Sequence, residues 1–137
     1  PLKGHSVAVL VNGDISEETL KSYAQVFVNN DLNYAFVGQT AKNLNNDEIG
    51  ITETYSTASS TVFDSVIVLS DGKELLPVAV DFAEMSYSHK KPVVITKEAK
   101  NVLQSNKIDL DAPGVVVSSE PQAILDAFKR YRYFDRK

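Results

Sequence analysis

Apolar residues along this chain fall into two kinds of run. The first is nearly continuous: "SVAVLVN" from Ser6 to Asn12, then "NYAFVGQ", "VFDSVIVLS", "PVVIT" and "GVVVSS". Short apolar runs rich in β-branched residues are what strands covered on both faces require, as in a parallel sheet. The second kind recurs at helical spacing. After "GDISEE", Leu20, Tyr23, Ala24, Phe27 and Val28 predict a helix with one apolar face, while Lys21, Ser22 and Gln25 look outward. Asp14 or Ser16 can cap it, and Glu17 and Glu18 suit the positive end of its dipole.

Pro77 is placed to open a second helix, with Val78, Ala79, Phe82, Ala83 and Met85 as its packing face. "HKKP" ends that helix with cations and a proline. "KPVVITKEAK" reads as a buried strand running straight into a helix, and "EPQAILDAFKRYRYF" as a closing helix with Ala123, Ile124, Ala127, Phe128 and Tyr131 on one side. "TAKNLNNDEIG" is polar enough for a connecting loop, and "ITETYSTAS" suits a hairpin or edge strand. Strands alternating with helices predict an α/β fold, a flavodoxin-like three-layer αβα sandwich with a mainly parallel sheet.

In such a sheet ligands lie beyond the carboxyl ends of the strands. That directs attention to "NGDISEE", "SDGKE" and "TKEAK". The first has one glycine, Gly13, followed by Asp14, Glu17 and Glu18, whose charge opposes a nucleotide or flavin phosphate. A phosphorylatable receiver domain would cast Asp14, Asp71, Thr96 and Lys97 in its roles. Thr96 and Lys97 are consecutive, however, where receivers draw the two residues from different strands. A nucleophile elbow would put Thr96 at a strained strand-to-helix bend. Threonine needs a base, no histidine is near in sequence, and Asp14 at the same rim is expected to offer Thr96 a structural hydrogen bond.

Composition narrows the chemistry. The 137 residues, 43% of them hydrophobic, suit one compact domain. There is no cysteine, which excludes thiolate catalysis and disulfides, and His5 and His89 stand too far apart in sequence to suggest a metal site. Net charge is −4, but the last nine residues, "KRYRYFDRK", carry five basic groups against one acidic. The remainder has nine basic against 17 acidic residues, a net −8 that repels nucleic acid. The simplest role for the terminal cations is to complement the dipole of the closing helix. No run approaches the roughly 20 apolar residues of a membrane span, and "PLKGHS" has no signal-peptide core. A soluble chain is expected, cytoplasmic in preference to secreted, with its compartment open. It begins at Pro1 without methionine, as a mature form, a proteolytic product or a piece of a longer polypeptide would.

"GHSVAVLVNGDISEETLKSYAQVFVNNDLNYAFVG", "GITETYSTASSTVFDSVIVLSDG", "KPVVITKEAKN", "DAPGVVVSS" and the closing "KRYRYFDR" together resemble the C-terminal domain of the large-subunit haem catalases. The resemblance implies a single class I glutamine amidotransferase-like domain over residues 1–137, related to the PfpI proteases. In catalytic relatives the elbow holds cysteine then histidine, with an acid after the first strand. Thr96, Lys97 and Asp14 take those places here, which implies a vestigial elbow without catalytic residues. It also implies that haem belongs to the parent catalase, which disproportionates hydrogen peroxide, and that this chain binds no cofactor or metal. The implied partners are the rest of the catalase subunit and its tetramer, with chaperone-like binding of unfolding client proteins under oxidative stress. A freestanding degenerate hydrolase, or a receiver-like signalling domain, are the alternatives.

Overall fold

The computed structural model describes residues 3–39, 42–43, 50–51, 53–129, 133 and 135–136. Strand β1, Ser6–Asn12, leads to helix α1, Glu17–Asn29, and strand β2, Asn33–Gly38. Two short pairs of residues, β3 at Lys42–Asn43 and β4 at Gly50–Ile51, form an antiparallel ladder. Strand β5, Glu53–Thr54, and a 3₁₀ turn at Ser60–Val62 precede β6, Ser65–Ser70. Helix α2, Pro77–Ser88, strand β7, Val93–Ile95, helix α3, Lys97–Val102, strand β8, Val115–Val117, and helix α4, Pro121–Phe128, complete the order.

The main sheet runs β5-β2-β1-β6-β7-β8, with every pairing parallel. Its five longer strands have the flavodoxin-like order, and β5 adds an edge beyond β2. Alternate residues of β1 serve opposite layers, as a pleated strand requires. Val7, Val9 and Val11 join Leu20, Ala24 and Phe27 of α1 and Ile124, Ala127 and Phe128 of α4. Ala8 and Leu10 face the layer of Ala79, Phe82, Ala83 and Tyr87 of α2 and Ala99 of α3. This is the α/β sandwich expected from the apolar runs.

Of the two candidate caps the structure selects one, and three apolar assignments depart from expectation. Ser16, rather than Asp14, caps α1, its hydroxyl accepting from Thr19 N–H at 3.1 Å. Val28 is 59% exposed. The helix ends in a Schellman turn in which Asp31 takes φ 57° and Leu32 N–H donates to the Phe27 carbonyl at 2.9 Å, so Leu32 fills the space assigned to Val28. On α2 the buried stripe is Ala79, Phe82, Ala83, Ser86 and Tyr87, an i, i+3, i+4, i+7, i+8 set that Val78 and Met85 miss by one position. Both are 48% exposed.

Three cations, Lys90 and Lys91 after α2 and Arg136 at the terminus, are structural. Lys90 adopts φ 66° as the left-handed residue of a second Schellman turn, and buried Lys91 donates from Nζ to the Ser60 carbonyl at 2.8 Å. Helix α4 stops at Phe128, short of the predicted end, and Tyr131 lies outside the described residues. Arg136 therefore does not answer the dipole of α4. It is 2% exposed and donates to the Tyr87, Lys91 and Pro113 carbonyls at 2.8–3.0 Å, with its guanidinium 4.5 Å from the Tyr87 ring centroid. The polar loop predicted over 40–50 contains β3 and the start of β4, and residues 40–41 and 44–49 of it lie outside the described residues.

Candidate functional site

Strand order reverses at β1 and β6, so the crevice beyond their carboxyl ends is where an open α/β sheet would take a ligand. Gly13 follows β1 with φ 87°, and a side chain there would strike the Asp71 carboxylate. That carboxylate accepts from Asp14 N–H at 2.9 Å and from Lys73 N–H at 3.0 Å. These two N–H groups, the Asp14 one above all, hold the Asp71 carboxyl below the usual carboxylate range. Lys73 Nζ lies 3.7 Å from both Asp71 and Asp14, an exposed arrangement that contributes little. Asn12 closes the floor: it is 3% exposed, and its Oδ1 accepts from Leu76 N–H at 3.2 Å.

The crevice thus already contains an anion. Backbone donors that could face a phosphate are taken by a carboxylate from the adjacent loop, and Asp14 stands beside them with its side chain almost wholly exposed. The turn chemistry of "NG" and "SDG" was visible in the sequence, but that the two turns face each other required the β1–β6 pairing.

At the second rim position, Thr96 is fully buried, with φ −66° and ψ 159°, an extended conformation any residue can adopt. Its hydroxyl donates to the Val68 carbonyl at 3.0 Å, where Asp14 was the expected partner. The bend at Thr96 therefore lacks the strain of an elbow, and the hydroxyl is turned into the sheet. Lys97 is exposed on the first turn of α3. The fold brings Asp14 together with Asp71 and Lys73, and leaves Thr96 in hydrogen bonds of its own.

Tyr55 was not singled out by the sequence. Its hydroxyl is buried and makes no hydrogen bond of good geometry among the described residues, although Asn12 lies beside it. Burial raises its pKa well above the usual phenol value.

The described residues do not fit haem. His5 stacks on Phe128 with ring centroids 5.1 Å apart and shares a 2.9 Å hydrogen bond with Ser65, and burial lowers its pKa. His89 caps α2. Neither lines either of two cavities among the described residues. The larger, about 670 Å³ beside α2 and α3, presents Glu74, Asp81 and Glu84, which would repel haem propionates. Among the described residues no group of three or more acidic or histidine side chains is placed to hold a metal ion. No helix among them is long and apolar enough to cross a membrane.

Comparison with curated proteins found no match. A family model, the C-terminal domain found in long catalases, matches residues 3–137. The match covers the whole described sheet, both helical layers and the buried Arg136, and on that ground the chain belongs to the family of C-terminal domains of long catalases.

Proposed function

We propose that this domain is a non-catalytic accessory part of a haem catalase, in which hydrogen peroxide is disproportionated elsewhere in the subunit and this domain supports the subunit and its tetramer. Residues 1–137 are then one amidotransferase-like domain with a vestigial elbow at Thr96, Lys97 and Asp14. The observation that carries this is the family match along nearly the entire chain. Two features of the rim favour it over a hydrolase: the Thr96 hydroxyl is committed to the Val68 carbonyl, and the anion site between the first and third long strands is filled by Asp71. Without a free nucleophile beside a base, covalent catalysis has no starting point.

Chaperone-like capture of unfolding clients has less behind it. Val28, Val62, Val78 and Met85 are the large apolar side chains left well exposed among the described residues, and single exposed side chains of this kind are ordinary on protein surfaces.

The test is to recover the native protein from its source with an antibody against this chain and record its size and absorption spectrum. A species several times larger than 15.1 kDa with a haem Soret band is expected. A colourless protein of 15.1 kDa would overturn the proposal and return the rim to consideration as a site in its own right.

A further inference from the structure

The groove between α1 and α4 plays no part in the reading above. It encloses about 310 Å³, room for about ten waters, at the small end of the range typical of small-molecule sites. Phe27, Leu69 and Ile124, each at most 5% exposed, give it a buried apolar wall. The groove lies toward the carboxyl end of the sheet: Leu69 is near the carboxyl end of β6, and Glu98 and Pro121 belong to the first turns of α3 and α4. Glu98 is the only charged residue among those lining the groove. Its field reaches inside: burial first, and then the Glu98 charge, raise the pKa of Tyr23, which lines the same groove.

We propose that this groove binds a small organic cation, an amine on an aromatic or branched aliphatic body, with the apolar part against Phe27, Leu69 and Ile124 and the ammonium at Glu98. An anion of the same shape meets the Glu98 carboxylate with like charge. A neutral analogue gains the apolar contact alone. The volume admits a free small molecule.

Titration of the isotopically labelled full chain with phenethylamine, 2-phenylethanol and phenylacetate, followed by amide chemical shifts, tests this. The amine should shift Tyr23, Leu69 and Ile124 and bind about fivefold more tightly than the alcohol, the value of one well-placed charge contact, with phenylacetate weakest. Glu98→Gln, at an exposed position, should erase the preference for the amine. Ser22→Phe, also exposed and at the groove, should abolish binding of amine and alcohol alike. Equal affinities of amine and alcohol, a preference that survives Glu98→Gln, shifts centred away from the groove, or no saturable binding would each overturn the proposal.

Discussion

At Asp71 one carboxylate occupies the donors that a flavodoxin-like crevice would offer to a ligand. Those N–H groups favour the charged form, so the folded pKa lies below the unfolded one. The contribution is present above the unfolded value of about 4 and is lost as pH falls through the depressed folded value. Asp71→Asn should therefore lower the thermal midpoint near neutrality, and the gap to the parent chain should narrow at about pH 2–3. A gap of the same size at both would mean that the carboxylate's charge contributes nothing. Tyr55 makes the opposite case, a buried hydroxyl without a well-formed bond. Because an unmet buried donor costs about 1–3 kcal/mol, Tyr55→Phe should leave stability unchanged or raise it, by up to about 1 kcal/mol in denaturant unfolding. A clear loss would show that the hydroxyl is satisfied, by Asn12 or by water. Neither role was legible in the sequence, since Asp71 and Tyr55 act through groups brought to them by strand pairing. Thr96 was found at the correct bend, yet its partner, Val68, is 28 residues away along the chain and could be assigned only once β6 and β7 were paired.

Elements were far more legible than partners. The five long strands announced themselves because residues buried on both faces need continuous apolar runs, and β1 was bounded from Ser6 to Asn12 as found. Helix faces were less secure. Val78 and Met85 are apolar but off the stripe, while Ser86, polar and only 1% exposed, is on it. Helical phase decides burial there, and apolar identity alone misleads. The closing helix was read too long because its apolar spacing continues beyond Phe128. The cap of α1 offers a direct check, because the sequence allowed both Asp14 and Ser16. Ser16→Ala should cost about 1 kcal/mol in urea unfolding, whereas Asp14→Ala, at a side chain almost wholly in solvent, should change stability little. The reverse ranking would place the cap at Asp14.

Across the whole molecule, the C-terminal residues tie the second layer to the sheet. Tyr133 donates from its hydroxyl to the Ala127 carbonyl at 2.6 Å, and its ring lies where a side chain on Gly114, at φ 81°, would have to go. Arg136 joins the end of α2, the approach to β7 and the loop before β8, while Lys90 Nζ donates back to the Arg136 carbonyl at 2.9 Å. A guanidinium presents five donors in a fixed planar fork, a geometry that a three-donor ammonium on a flexible stem does not reproduce. Arg136→Ala should cost about 2–3 kcal/mol, and Arg136→Lys should recover less than half of that. Full recovery by lysine would reduce the contact to charge alone. For a domain so tied together, with its rim chemistry occupied from within, the expected contribution to a catalase is physical support. The most direct measurement is peroxide turnover per haem, together with the thermal midpoint of the tetramer, in the parent catalase with and without residues 3–137. Turnover within about twofold and a lowered midpoint are expected. Turnover lost while haem and tetramer persist would contradict a non-catalytic role.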